Sequence, residues 1–400
     1  MRRMRFYSGM KLFRSFLVSL LFLFVSFSSI ALGAPASKSG QSFFYVGTYT
    51  ENGSSSKGIY VYRYDTGTHE ITSLGLAAET TNPSFLAPSP NGRFLYAVNE
   101  LGNYKGPNSG GVSAFSVDHA TGKLTFLNEV QSRGGGPCYI TVDKTGRWVL
   151  VANYDGGSVA VFPVQADGKL GETVSFDQHT GHGSNPERQE APHAHSIDLS
   201  PDNRFAYVDD LGLDELMVYK FDAATGKLTP NDPPYAKLEP GSGPRHFALS
   251  TSGKFAYVVS EIKGTVTAFS NDPHTGKLQA LQTVSTQADG FKGEIEDAEV
   301  EIHPSGKFLY ASNRGDGNSI AVFAIDPAKG TLTPVDVTPT QGKAPRNFAF
   351  DPTGTLLFAE NMSSNNIVIF QIDQKTGKLT PTGKTLDVGQ PVCIKFLAVP

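Results

Sequence analysis

Two short turn signatures alternate along this chain, and their alternation restricts the fold more than any other feature. The first reads Asn91-Gly92-Arg93-Phe94. It returns as Thr145-Gly146-Arg147-Trp148, Asp202-Asn203-Arg204-Phe205, Ser252-Gly253-Lys254-Phe255, Ser305-Gly306-Lys307-Phe308 and Thr353-Gly354-Thr355-Leu356. The second falls between these: Thr66-Gly67-Thr68, Thr121-Gly122-Lys123-Leu124, Asp167-Gly168-Lys169-Leu170, Thr225-Gly226-Lys227-Leu228, Thr275-Gly276-Lys277-Leu278, Lys329-Gly330-Thr331-Leu332 and Thr376-Gly377-Lys378-Leu379. Short runs of alternating, β-branched and aromatic residues flank each turn, so the turns read as hairpins in which Gly supplies a positive φ. The pair recurs roughly every 50 residues. Two hairpins per period make four strands per period, the blade of a β-propeller. The seven copies of the second turn predict an all-β, seven-bladed propeller with four antiparallel strands per blade.

The ends of the chain fit one closing blade. Gly389-Gln390-Pro391-Val392-Cys393-Ile394-Lys395-Phe396 reads as a first strand without successors, while Phe43-Phe44-Tyr45-Val46-Gly47 and Gly58-Ile59-Tyr60-Val61-Tyr62 read as later strands without a first. Sharing a blade closes the ring and leaves no long open edge. A single propeller domain is therefore expected over residues 37–400. Ahead of it, Arg2, Arg3, Arg5, Lys11 and Arg14 precede an apolar run over residues 16–30 and then Ala31-Leu32-Gly33-Ala34-Pro35-Ala36. Basic, apolar, then small is the order of a secretory signal peptide, expected over residues 1–36, and the apolar run is shorter than the ~20 residues of a spanning helix. A periplasmic or secreted protein follows, with no stable membrane insertion after cleavage. The net charge of −4 offers no basic surplus for nucleic acid. Cys138 and Cys393, the two cysteines, fall in separate blades, so no disulfide is expected. A monomer or weak homo-oligomer is expected.

In each blade the strand before the first turn should line the central channel, and the next strand should run back to the face where the inner one began. Counting back from the turns gives Ser84, Cys138, His195, Arg245, Ala298, Arg346 and Val392 at one mouth. Counting forward brings Glu100, Tyr154, Leu211, Glu261, Arg314 and Met362 to the same mouth. A channel needs only small or apolar residues, yet His195, Arg245 and Arg346 are ionisable. His193, two residues from His195, is placed on the same side of a strand. Asn99, Asn153, Asn313 and Asn361 recur too regularly to be specific and read as turn formers. His303 is assigned to the opposite face and Lys343 to the surface. His179 and His182 read as solvated within a polar insertion, residues 178–189, long enough to fold over the mouth.

These residue types suit the opening of an ester or lactone. A histidine can take a proton from water and return it to the leaving alkoxide. A neighbouring carboxylate can hold its tautomer, and guanidinium groups can stabilise an oxyanion or fix a substrate anion. No Gly-x-Ser-x-Gly elbow is present. His193-Ala194-His195 lacks further residues at metal-ligand spacing, so neither metal nor cofactor is expected. The repeated Phe-Ala-Tyr-Val and Leu-Tyr-Ala-Ser-Asn segments, with His193-Ala194-His195, Gly243-Pro244-Arg245-His246, Glu261 and Ser312-Asn313-Arg314-Gly315, resemble the seven-bladed propeller lactonases. That family includes bacterial 6-phosphogluconolactonases and fungal carboxy-cis,cis-muconate lactonizing enzymes. The resemblance covers residues 43–399 and implies that His195, Arg245, Glu261 and Arg314 are catalytic. In that scheme His195 is the general base, Glu261 its partner, and the two arginines hold the oxyanion and the substrate anion. His193, Arg346, Glu100 and His246 are the expected substrate contacts, and a small-molecule lactone the expected partner. The leader departs from a cytoplasmic phosphorylated substrate and brings unphosphorylated sugar lactones into view. A muconate-type cycloisomerase and a non-catalytic extracytoplasmic binding propeller remain open as alternatives. Removing His195 or Arg245 is expected to abolish hydrolysis with the melting temperature nearly unchanged.

Overall fold

A computed structural model describes residues 40–51 and 53–399; the expected leader lies outside them. Twenty-eight strands form seven four-stranded antiparallel sheets, and Pro391–Ala398 pairs with Gln41–Thr48 to complete the sheet that also holds Gly58–Asp65 and Ile71–Glu79. The ring closes as the terminal segments predict. Both cysteines are buried and free. Among the described residues no helix is long and apolar enough to cross a membrane.

The two turn signatures exist because they touch. The aromatic residue of the first signature packs on the glycine of the second in the next blade: Phe94 on Gly168, Trp148 on Gly226, Phe205 on Gly276, Phe255 on Gly330 and Phe308 on Gly377. A Cβ on any of these glycines would come well inside 3.0 Å of the ring. The second strand adds a polar tie across the same seam, since the hydroxyls of Tyr45, Tyr96, Tyr257 and Tyr310 donate to the carbonyls of Gly122, Gly168, Gly330 and Gly377. In the blade built on Phe205–Asp210, Asn203 holds the left-handed position (φ 61°) that Gly takes elsewhere. Gly67 is not left-handed in its turn; His69 is, at φ 56°.

The recurrent asparagines do a different job from the one expected. Each ends a buried second strand, and its amide donates to a carbonyl in the connection arriving from the preceding blade: Asn99 to Thr81, Asn153 to Ser132, Asn313 to Thr286 and Asn361 to Thr340. They tie blade to blade, satisfying carbonyls that the mouth loops would otherwise leave unpaired.

Candidate active site

The inner strands reach the mouth through β-bulges. In the register, Pro137 and Tyr139, Pro244 and His246, Pro345 and Asn347, and Pro391 and Cys393 take consecutive partners, which leaves Cys138, Arg245, Arg346 and Val392 as the extra residues. A bulge re-aims the extra side chain. It also breaks the strict alternation of a strand, so Arg245-His246 and Arg346-Asn347 both line the channel as consecutive pairs. His195 is pinned differently: its N–H donates to the Asp209 carbonyl at 2.8 Å.

The mouth is a cavity of about 270 Å³ lined by residues that include Glu100, Tyr154, Arg188, His195, Glu261, Arg314 and Arg346. At its centre Glu261 accepts from Arg245 Nε at 2.8 Å and Arg314 Nη2 at 2.9 Å, and from Arg188. Burial would raise the Glu261 carboxyl, but Arg314, Arg245 and Arg188 overcome it and hold the group at about 2. Burial, reinforced by Arg346 and Arg314, brings Arg245 down to about 10 against the pull of Glu261 and Glu299. Glu261 is therefore the counter-charge of the arginines and makes no hydrogen bond to His195. Because Arg245 is buried in this ion pair and also donates to the Ala298 carbonyl at 2.7 Å, its removal would cost stability, against the expectation of a nearly unchanged melting temperature.

His195 sits 4 % exposed, with Nδ1 3.7 Å from Cys138 Sγ and its ring edge-on to Tyr154. Burial, then Arg245, His246 and Arg346, push its pKa well below the ordinary histidine value, so the ring is neutral. Arg346 makes no hydrogen bond or ion pair among the described residues; its guanidinium lies over the Tyr49 ring at 5.4 Å. Burial opposes its charge, but Tyr49, Glu100 and Glu261 more than compensate and raise its pKa. Tyr49 in turn donates to Glu100 at 2.9 Å, which settles Glu100 in the mouth wall.

His193 does not line the cavity. Its ring stacks on Tyr154 at 4.5 Å, and Nδ1 donates to the Tyr154 carbonyl at 3.0 Å, so it backs a wall residue. His246 lies one layer below His195, with Nδ1 2.9 Å from Glu299 Oε1. Deeper still, the inner strands carry Asp198, Glu301 and Lys395. Burial lifts the carboxyls of Asp198 and Glu299 to about 7 and that of Glu301 to about 8. His303 is structural at the turn face: Nε2 donates to the Gly354 carbonyl at 2.6 Å, and Nδ1 accepts from the Ser305 N–H at 3.2 Å.

The insertion does fold over the mouth, and it brings Arg188, which no repeat could reveal because it has no counterpart in other blades. His182 is exposed as expected, but His179 is buried against Asp210 at 2.6 Å and Tyr219 at 2.9 Å, anchoring the insertion. Glu299 and Glu301 had a visible signal: two acidic residues alternating inside an inner strand, Asp297–Ile302, where apolar residues would serve.

One mouth of the propeller thus gathers a buried histidine, an uncommitted guanidinium and a carboxylate-bound arginine cluster. The chain belongs to the seven-bladed β-propeller lactonase family: the family model described as "Lactonase, 7-bladed beta-propeller" matches residues 43–396. The 6-phosphogluconolactonase of Bacillus subtilis is 40% identical over 353 residues, spanning 88% of this chain and 97% of its own length. That of Formosa agariphila is 36% identical over 326 residues, spanning 80% and 90%. Among solved structures, the periplasmic gluconolactonase of Pseudomonas aeruginosa superposes with a TM-score of 0.84 at 36% identity, covering 90% of this chain and 100% of its own.

Proposed function

We propose that this mouth hydrolyses a sugar-derived lactone, with His195 as general base and Arg346 as the group that meets the developing oxyanion. The observation that carries the reading is that His195 and the unpaired Arg346 face the same cavity, whereas Arg245 and Arg314 are committed to Glu261. Water adds to the lactone carbonyl as His195 takes its proton, and the carbonyl electron pair moves to the oxygen beside Arg346. Collapse breaks the ring C–O bond, and the alkoxide recovers the proton from His195. Arg346 is thus promoted from substrate contact to the electrostatic role, and Arg245 and Arg314 become the frame that fixes Glu261.

The mouth's charge balance supports an unphosphorylated substrate. Arg188, Arg314 and Arg346 face Glu100, Asp155, Glu261 and Glu296, three cations to four anions, and Arg245 beneath evens the count. Among the described residues Arg346 is the one mouth guanidinium without an ion pair, and a phosphate dianion meeting it would also face Glu100 and Asp155, the two mouth carboxylates that no arginine neutralises. The basic–apolar–small leader supports work outside the cytoplasm, where such lactones would be met.

The test is hydrolysis of δ-gluconolactone and its 6-phosphate by the purified protein, spontaneous opening subtracted. We expect a higher kcat/KM on the unphosphorylated lactone. His195→Ala should lower kcat by roughly 10²–10⁴-fold and Arg346→Ala by roughly 10²–10³-fold. No rate above background on either lactone overturns the reaction; a preference for the phosphate overturns the substrate class.

A further inference from the structure

Arg346 is held in a way that no other guanidinium of the mouth is. Arg188, Arg245 and Arg314 each give an N–H to Glu261, and Arg245 and Arg314 each give another to a backbone carbonyl. Arg346 gives none to any described residue. Its backbone is fixed, because Pro345 and Asn347 on either side of it pair with Asn361 and Glu360. Its charged end instead meets a ring face, with Cζ 5.4 Å from the Tyr49 centroid.

Tyr49 reaches this place because the closing blade obeys the same count as the others. It directly follows the strand Gln41–Thr48, as Glu100 follows Phe94–Asn99 and Glu261 follows Phe255–Ser260. It is the seventh member of that ring of mouth residues. Counting from the turns missed it, since no turn signature precedes its strand. The side chain is tied at both ends. The Tyr49 N–H donates to the Gln390 carbonyl at 3.2 Å, and the Tyr49 carbonyl accepts from Ser54 Oγ at 2.8 Å. The hydroxyl donates to Glu100 Oε2 at 2.9 Å, and the Glu100 N–H donates to the Asn82 carbonyl at 3.0 Å. Burial lifts the Tyr49 hydroxyl far above its ordinary range, Arg346 opposing and Glu100 assisting, so it keeps the hydrogen that makes the tie.

How a guanidinium is held decides what it can still do. A carboxylate partner takes N–H groups and offsets the charge, as Glu261 does for its arginines. A ring face attracts the cation through its quadrupole and takes no N–H. All five donors of Arg346 are thereby left to the cavity that it lines with Tyr49 and His195. The ring also works against a local repulsion, since Arg245 lies close enough to Arg346 for its own pKa to be lowered by it.

Resting on the lactonase reading above, we propose that Tyr49 is a positioning residue of the reaction: its ring, locked by Glu100, holds the Arg346 guanidinium beside the lactone carbonyl with every N–H free for the oxyanion. Tyr49 takes no proton and forms no bond to substrate. It acts by keeping the donors in place before charge develops, so that no reorganisation is needed as the carbonyl pair moves to oxygen.

The experiment is kcat and KM for δ-gluconolactone, spontaneous opening subtracted, in the wild type, Tyr49→Leu, Tyr49→Phe, Arg346→Ala and the double variant Tyr49→Leu/Arg346→Ala. Tyr49→Leu should lose roughly 10-fold in kcat with KM within about twofold, because the group it positions acts in the transition state. Tyr49→Phe, which keeps the ring and drops its tie, should fall between that variant and the wild type. In the Arg346→Ala background Tyr49→Leu should change kcat by less than about twofold, since the residue it positions is gone. A folded Tyr49→Leu with wild-type kcat, a Tyr49→Phe no better than Tyr49→Leu, or a loss undiminished in the double variant overturns the proposal. Should Tyr49→Leu fail to fold, the wild type decides by NMR. The Arg346 side-chain N–H signal, assigned by its disappearance in Arg346→Ala, should be shifted upfield by the Tyr49 ring, and an unshifted signal overturns the proposal. A wild type without lactonase activity removes the underlying reading too, whereas an active wild type with an indifferent Tyr49→Leu removes only the role of Tyr49.

Discussion

Glu261 concentrates the electrostatics of the mouth in one side chain. It is 3 % exposed and bound by two buried guanidinium groups and one at the rim. Neutralising it leaves Arg245 and Arg314 in low dielectric without their counter-charge. Glu261→Gln should therefore destabilise the fold by about 3–5 kcal/mol, read as a lowered urea midpoint, and a variant as stable as the wild type would contradict the ion-pair account. Which residues gather at the mouth was legible by counting from the turns, because strand residues advance in fixed steps. How they pair was not. Glu261 reaches Arg245 at a sequence separation of 16 and Arg314 at 53, and His246 reaches Glu299 at 53. Such choices depend on where side chains end after bulges have rotated them.

At the scale of the strand and turn, the repeat is a docking code between neighbouring blades. Gly226 shows its cost of change: φ is +74°, and a Cβ would lie 2.6 Å from Trp148 Cε3. Gly226→Ala combines left-handed strain with overpacking against a rigid ring and should cost about 2–4 kcal/mol. Trp148 is the single tryptophan, so its fluorescence reports the unfolding directly. An unchanged midpoint would mean the turn relaxes without cost. The hairpins were readable because Gly at a positive φ leaves a local mark. The bulges were not, since Pro244 or Pro345 marks a strand start without saying that the next residue will go unpaired.

For the whole molecule, the channel acts as a reservoir of buried carboxyls. Asp198, Glu299 and Glu301 are raised to between about 7 and about 8, and Asp209, Asp297 and Glu360 well above the ordinary value, all by burial first. Each binds its proton more tightly folded than unfolded, where carboxyls titrate near about 4. Stability should therefore fall as pH rises from about 4 to about 8. Glu261 works in the opposite direction, and its contribution disappears as pH falls from about 4 toward about 2. Urea midpoints should be higher at about pH 5 than at about pH 8; the reverse order would show that the channel carboxyls are ionised in the folded protein.

The sequence by itself determined the seven blades, the shared closing blade and the face on which the ionisable residues gather, because hairpin glycines and strand alternation are local rules repeated every period. Only the tertiary structure decided that Glu261 belongs to arginines, that Glu299 belongs to His246, and that Arg188 closes the mouth from an insertion. Those outcomes follow from desolvation inside the channel: a buried charge takes whichever partner lies within hydrogen-bonding reach, and reach across blades is set by bulges and loops that carry no period.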